Sequence, residues 1–196
     1  MKIYGDLASG NCLKVKYLAD HLGLTYDWQP VDILKSESRT ADFLAMNPMG
    51  QVPTVVLDDG RALAQSNAIL LYLAEGSALL PSDPYERAKV AELLFWEQYS
   101  HEPYVAVCRF QMHYLGKAKE EREAWRVERG EQALDLMERL LNGCDWLVGE
   151  GLSIADIALL AYTRVAHEGG FDLAPRPKVR NWITRCETAL DLEPAA

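Results

Sequence analysis

The sequence lacks the features that would direct a chain to a membrane or to a nucleic acid. No apolar run approaches the ~20 residues that a membrane-spanning helix needs, and we expect no secretory signal at the N-terminus. Basic residues are outnumbered by acidic ones, six to nine in residues 1–75 and fourteen to twenty in the remainder. With a net charge of −9, neither half offers a basic face for a nucleic acid or for an acidic membrane surface.

Cysteine is scarce and scattered: the four thiols stand at positions 12, 108, 144 and 186. This spacing argues against a disulfide framework and suits a reducing compartment, so we expect a cytoplasmic protein. Cysteine or histidine pairs at zinc-binding spacing are missing, and no P-loop or dinucleotide fingerprint is present. We therefore expect no metal and no nucleotide cofactor.

Strand-like and helical signals alternate through the first 75 residues. After a short apolar strand, four apolar residues recur at helical spacing and predict a first helix: Val15, Leu18, Ala19 and Leu22. Residues 26–33 predict a second strand, in which Pro30 favours an edge position. The turn Asp58-Asp59-Gly60 predicts a hairpin, and Ser66 is expected to cap the helix that follows.

The second part of the chain shows helical periodicity alone. Two prolines and small residues indicate a linker over 77–85, which predicts domains over 1–76 and 86–196. Residues 85–115 predict either one long helix or two helices broken at Pro103. Ser153 and Asp156 have the spacing of a capping box before an apolar, buried helix, so we interpret Asp156 as a capping residue rather than a catalytic acid.

The turn before the first helix carries the pattern Ser9-x-x-Cys12. This looks like a redox Cys-x-x-Cys pair in which serine has replaced the first cysteine. Strand-to-helix turns of α/β proteins often hold reactive groups, but serine is also a typical turn or N-cap residue. We interpret Cys12 as a small packed residue rather than a redox partner.

Four stretches in this order give the chain its resemblance to a known family: YGDLASGNCLKV, NPMGQVPTVVLDDG, QSNAILLYL and SIADIALLAY. Together with the linker they resemble cytosolic glutathione transferases of the bacterial serine type, which are theta-, delta- or beta-like. The resemblance covers nearly the whole chain. It implies an α/β thioredoxin-like N-terminal domain and an all-α helical-bundle C-terminal domain, in agreement with the two periodicities.

The resemblance also implies where glutathione binds as co-substrate. The Val52–Pro53 bond is expected to be cis, although an ordinary trans proline would also open a strand well, and Val52 would pair with the glutathione backbone. Ser66 would hold the γ-glutamyl carboxylate at a helix N-terminus. Gln65, where many relatives carry glutamate, would bind the ligand's amino group. Gln51 and Lys35 would reach the glycine carboxylate.

In this interpretation Ser9 is the catalytic residue. Its hydroxyl would donate a hydrogen bond to the glutathione sulfur and so stabilise the thiolate, the form that attacks electrophiles. Asn11 is expected to assist at the same turn. Tyr4, at the end of the first strand, is the rival donor.

The implied enzyme is a glutathione transferase, which conjugates the glutathione thiolate to small hydrophobic electrophiles. We expect Tyr104 and Arg109 to line the electrophile pocket, and the protein to be a homodimer that acts in detoxification. Two alternatives remain open: a glutathione-dependent thiol–disulfide oxidoreductase, and a non-catalytic binding module of transferase-like fold.

Overall fold

The structure is a computed structural model that describes residues 1–195, so position 196 of the predicted helical domain lies outside the described residues. The chain separates into two units, Met1–Gly76 and a second that begins at Ser77. The first unit contains a four-stranded mixed sheet with helices. The second is helical throughout its described elements. This is the predicted fold class, an α/β thioredoxin-like domain followed by an all-α domain.

The sheet of the first unit has the strand order β2-β1-β3-β4. Its strands are β1 (Lys2–Gly5), β2 (Asp27–Pro30), β3 (Thr54–Val56) and β4 (Ala62–Ala64). The β1 strand runs parallel to β2 and antiparallel to β3, and β3 and β4 form the hairpin predicted from Asp-Gly. Pro30 ends the edge strand β2, where its missing N–H interrupts no interior ladder.

Three α-helices accompany the sheet: α1 (Gly10–His21), α2 (Ala41–Met46) and α3 (Ser66–Leu73). A fully buried apolar cluster joins α1 and α3 to β1 and β3; its members are Ile3, Val15, Ala19, Val55 and Ile69. Because α1 and α3 pack on the same cluster, both helices are fixed relative to the sheet from which the candidate site is built.

The described part of the second unit, residues 77–195, contains five α-helices: α4 (Pro84–Trp96), α5 (Glu102–Arg109), α6 (Ala124–Leu140), α7 (Ile154–Thr163) and α8 (Pro177–Ala189). A π-helical turn, Glu97–His101, separates α4 from α5, so the region around Pro103 forms two α-helices. Pro103 itself lies in the first turn of α5, where a missing N–H leaves no intrahelical bond unmade.

The α7 helix begins with the predicted capping box. Both the N–H and the hydroxyl of Ser153 donate to Asp156 Oδ2, at 2.9 and 2.7 Å. Asp156 Oδ1 accepts the N–H of Leu147 and the indole N–H of Trp182, at 3.0 and 2.9 Å. The interpretation of Asp156 as a capping residue is therefore confirmed.

Within residues 1–195 no helix combines the length and the apolar character needed to cross a membrane.

Candidate active site

The turn between β1 and α1 is closed by Asp6. Its carboxylate accepts the N–H of Ala8 at 2.8 Å, and its backbone carbonyl accepts the N–H of Ser9 at 3.0 Å. The carbonyl of Ser9 then accepts the first two helical bonds, from Cys12 and Leu13. Ser9 is thus the N-cap of α1, yet its side chain makes no capping hydrogen bond. The half-buried hydroxyl is left at the helix N-terminus without a capping function.

Cys12, three residues beyond Ser9, is fully buried. Its Sγ accepts the backbone N–H of Asp6 at 3.4 Å. Burial raises the pKa of the Cys12 thiol to about 11, and hydrogen bonds from the Asp6 backbone and the Ser9 side chain oppose that rise only in part. Cys12 is therefore a packed, protonated thiol at neutral pH.

Asn11 connects the N-termini of α1 and α3. Its Oδ1 accepts a hydrogen bond from the Ser66 hydroxyl at 3.1 Å and one from the Lys14 ammonium at 2.8 Å. Ser66 is 5% exposed and Lys14 is fully buried, whereas Asn11 is half-buried, so both bonds are partly shielded from solvent. The structure thus brings together two predicted site residues that lie 55 positions apart in the chain.

The start of α3 differs from the predicted one. Gln65, not Ser66, is the N-cap, and Ser66 is the first helical residue, with its hydroxyl turned to Asn11. Gln65 has a φ of 70°, in the left-handed region that few residues other than glycine adopt. Its exposed side chain donates from Nε2 to Met49 Sδ at 3.5 Å. The N-cap prediction is therefore wrong by one residue, because a backbone turn at Gln65 starts the helix.

The loop before β3 is organised by Asn47. Its buried amide donates to the carbonyl of Gln51 at 2.8 Å and to Thr54 Oγ1 at 3.0 Å. Its Oδ1 accepts the N–H of Met49 at 3.1 Å. The Val52–Pro53 bond in this loop is cis, as the resemblance implies. The contact between Met49 and Gln65 joins this loop to the start of α3.

Two further residues of the first unit lie apart from these hydrogen bonds. Lys35 is 76% exposed and its ammonium pairs with Asp32 at 2.9 Å. Tyr4 packs its ring edge-on against Phe43 of α2, with ring centroids 6.2 Å apart. The structure thus joins Asn11, Ser66, Gln65 and the Gln51–Pro53 loop, while Lys35 stands at the surface.

The two predicted electrophile-pocket residues both lie on α5. Tyr104 is half-buried and packs edge-on against Trp125. Arg109 is buried, and its Nε donates to Glu168 at 2.5 Å. Arg109 is therefore engaged in an ion pair within the second unit. Among the described residues, no three side chains of the metal-binding types come together.

Sequence reasoning missed two residues that position the site, Lys14 and Asn47. Lys14 follows Asn11 by three residues and precedes Leu18 by four, so it shares the inward face of α1. A lysine on that face is the signal that could have identified it. Asn47 stands immediately before a proline and ends α2, and nothing in its local sequence indicates its bond to Thr54.

Both units match family models of known domains. Residues 8–75 match the glutathione S-transferase N-terminal domain, and residues 94–189 match the glutathione S-transferase C-terminal domain. The structure is similar to that of a glutathione S-transferase from Pseudomonas fluorescens, with 52% identity and a TM-score of 0.92 over 95% of this chain and 94% of that one.

Two relatives have names that describe different activities. The chain is 31% identical to the maleylacetoacetate isomerase of Pseudomonas aeruginosa over 92% of its own length and 88% of the isomerase. It is also 31% identical to the disulfide-bond oxidoreductase YfcG of Escherichia coli, over 88% of this chain and 83% of that protein. Both domain matches and these identities lead to one conclusion: the chain belongs to the glutathione S-transferase family of enzymes.

Proposed function

We propose that this enzyme activates the thiol of glutathione with Ser9 and conjugates the thiolate to small, apolar electrophiles. One observation carries the proposal. The Ser9 hydroxyl lies at the N-terminus of α1 and makes no capping bond there, so only its weak contact with the Cys12 thiol would have to be exchanged for a hydrogen bond to a ligand.

The other first-unit contacts support a glutathione site beside Ser9. The first N–H groups of α3 have no intrahelical acceptor and can bind the γ-glutamyl carboxylate through the N–H of Ser66. The Ser66 hydroxyl donates to Asn11, so it would have to rotate before it could also serve that carboxylate. The exposed Gln65 amide offers its oxygen to the ligand's ammonium group. Val52 would pair with the cysteinyl backbone, and Gln51 and Lys35 would serve the glycine carboxylate.

In the chemical step, the thiol proton leaves to solvent and the thiolate forms a C–S bond to the electrophilic carbon. In a substitution that carbon releases its leaving group with the electron pair of the broken bond; in a conjugate addition the C=C π pair moves away from that carbon and is protonated by water. The Ser9 hydroxyl keeps its proton and donates a hydrogen bond to the sulfur anion. A hydrogen bond to a charged group contributes roughly 1.5–3 kcal/mol, which lowers the thiol pKa by ~1–2 pH units. The positive end of the α1 dipole acts in the same direction, and Asn11 would be a second donor.

Ser9 is preferred to Tyr4 on two grounds. The Tyr4 ring packs against Phe43 of α2, whereas Ser9 is part of α1 itself. Strand alternation also places Tyr4 on the sheet face opposite to Ile3, which belongs to the core shared with α1 and α3.

Thiolate absorbance of bound glutathione tests this assignment directly. The pH titration is followed in the wild type, in Ser9→Ala and in Tyr4→Phe. We expect the thiol pKa to rise by about one pH unit or more in Ser9→Ala and to stay at the wild-type value in Tyr4→Phe. A wild-type thiol pKa in Ser9→Ala would remove Ser9 from the mechanism.

A disulfide oxidoreductase is the second candidate, because the chain is 31% identical to YfcG. A route through a protein cysteine is disfavoured by the buried, protonated Cys12 and by serine at position 9. The two functions are separated by turnover rates on an electrophile panel that includes maleylacetoacetate and on glutathione-dependent reduction of a small disulfide. Glutathione binding without turnover of either class would favour the non-catalytic module.

The cellular setting is part of the same proposal. All four cysteines are free thiols, which suits the reducing cytoplasm.

We further propose a homodimer that acts in detoxification, with Tyr104 and Arg109 on the wall of the electrophile pocket. Gel filtration with light scattering tests the dimer. Tyr104→Ala and Arg109→Ala should change KM for the electrophile and leave glutathione affinity unaltered.

A further inference from the structure

Lys14 is a charged residue in an unusual position for its type. It lies on α1 among core residues and is fully buried. Lysine is almost never fully buried unless its ammonium is paired, because removal of the charge from water is costly. Its contact with Asn11, at 2.8 Å, places this cation next to the predicted catalytic turn.

The contact fixes the orientation of the Asn11 amide. A lysine ammonium can only donate hydrogen bonds, so the Asn11 atom 2.8 Å from it must be the carbonyl oxygen. The Ser66 hydroxyl donates to the same oxygen at 3.1 Å. With Oδ1 held by two donors, the amide nitrogen is turned away from Lys14 and Ser66. A flipped amide would set its N–H groups against an ammonium, which accepts no hydrogen bond.

We propose that Lys14 is a positioning residue: it holds Asn11 Oδ1 so that the Asn11 amide presents N–H donors, rather than a carbonyl oxygen, to the glutathione thiolate. The inference rests on the proposed function, in which Ser9 and Asn11 together stabilise that thiolate. A carbonyl oxygen turned to a sulfur anion would repel it, so orientation alone decides whether Asn11 helps or opposes ionisation.

The direct field of the Lys14 charge is the smaller influence. Cys12 provides a thiol at the same helix start, and the influences on its pKa can be ranked. Burial raises the pKa of the Cys12 thiol most; hydrogen bonds from the Asp6 backbone and then the Ser9 side chain lower it, the charge of Asp6 raises it, and the charge of Lys14 lowers it least. Asp6 thus opposes Lys14 at this turn, and we expect Lys14 to act mainly through Asn11.

Lys16 provides a matched control on the same helix. It lies two residues beyond Lys14, is half-buried, and donates to Asp20 at 2.7 Å and to Tyr26 at 3.1 Å. These partners lie outside the candidate site. Lys14→Met and Lys16→Met therefore remove the same charge from the same helix, and only the first removes a donor to Asn11.

The test measures the thiol pKa of bound glutathione by thiolate absorbance in wild type, Lys14→Met, Lys14→Gln and Lys16→Met. We expect Lys14→Met to raise this pKa by about one pH unit, a tenfold loss of thiolate below the wild-type value. Lys16→Met should match the wild type. Lys14→Gln keeps an N–H donor without the charge, so it should recover most of the wild-type behaviour. Equal pKa values in Lys14→Met and the wild type would overturn the inference.

A double-mutant cycle separates positioning from a direct effect of charge. If Lys14 acts through Asn11, adding Lys14→Met to Asn11→Ala produces little further rise in thiol pKa. Full additivity of the two substitutions would overturn the positioning role. If Lys14→Met does not fold by circular dichroism, Lys14→Leu carries the test, because it also removes the donor to Asn11 and should raise the thiol pKa in the same way. Failure of the proposed function is a different result, in which Ser9→Ala and Asn11→Ala both keep the wild-type thiol pKa.

Discussion

Within residues 1–195, two α-helices begin at a serine N-cap, and the two serines have different environments. At the start of α7, the hydroxyl and the N–H of Ser153 both donate to Asp156. At the start of α1, the Ser9 side chain makes no capping bond, and the inward residue of the first turns is the cation Lys14 rather than an acid. The residue type at the N-cap is the same, and its neighbours differ.

The difference lies in whether the side chains at a helix start are used in hydrogen bonds that stabilise the fold. The α7 start is closed, because Asp156 accepts four hydrogen bonds inside the second unit. The α1 start holds its turn through Asp6 and the backbone, and the Ser9 hydroxyl, which contacts the Cys12 thiol, makes no capping bond. A positive residue beside the open start also favours an anion there, whereas Asp156 would repel one.

Asp156→Ala should have the largest effect on stability, because it breaks the closed start of α7. It leaves four donors in a buried region without their acceptor, and we expect a loss of about 3–5 kcal/mol in the free energy of unfolding. Urea denaturation followed by circular dichroism measures it. The thiol pKa of glutathione bound to the folded fraction should stay at the wild-type value. A stability loss below about 1 kcal/mol would contradict the account of α7.

Ser9→Ala should have the opposite effects, a large loss of activity and little change in stability. Loss of one hydrogen bond to the thiolate is expected to reduce kcat/KM roughly 10- to 100-fold, from the 1.5–3 kcal/mol of such a bond. The free energy of unfolding should change by less than about 0.5 kcal/mol, because the side chain makes no capping bond. Steady-state kinetics at saturating glutathione and urea denaturation give the two values. A large stability loss would show that Ser9 is a structural cap.

Ser153→Ala sharpens the comparison with a smaller effect. It removes one hydroxyl donor to Asp156 and keeps the backbone donor, so we expect a loss of about 1 kcal/mol in the free energy of unfolding. Activity per folded molecule should be unchanged. If Ser153→Ala and Ser9→Ala lost equal stability, the distinction between a closed and an open helix start would fail.

The pH dependence of stability gives the smallest expected effect. Burial raises the pKa of the Asp156 carboxyl, against the opposing hydrogen bonds from Trp182 and Ser153. The folded chain then holds this proton more tightly than the unfolded chain does, so the Asp156 contribution is full below the unfolded pKa of about 3.9 and declines as pH rises through the folded value.

Asp156→Asn is the reference variant for this pH dependence, because an asparagine side chain does not titrate. We expect the stability of the wild type relative to Asp156→Asn to fall as pH rises above about 4, by less than about 1 kcal/mol per pH unit. Urea denaturation across a pH series measures the difference. A relative stability that rises with pH would mean that the folded carboxyl has a lowered pKa.

Much of the fold and of the candidate site could be predicted from the sequence where the determinants are local. The hairpin at Asp58-Asp59-Gly60 and the capping box at Ser153 follow from a few adjacent residues. The start of α3 was misplaced by one residue, because a left-handed φ at Gln65 depends on how the chain arrives from β4. Glutamine has no intrinsic preference for that conformation, so its sequence position alone did not indicate the turn.

The sequence by itself determined the two-part architecture, the apolar faces of the helices and the candidate residues near Ser9, since these depend on periodicity and on short-range spacing. Only the tertiary structure decided that Asn11 meets Ser66 across 55 positions, that Asn47 organises the Gln51 loop, and that Lys14 is buried beside the turn that carries Ser9. The physical reason is that these hydrogen bonds join separate elements, and α1 and α3 come together only when they bury their shared apolar cluster against the sheet.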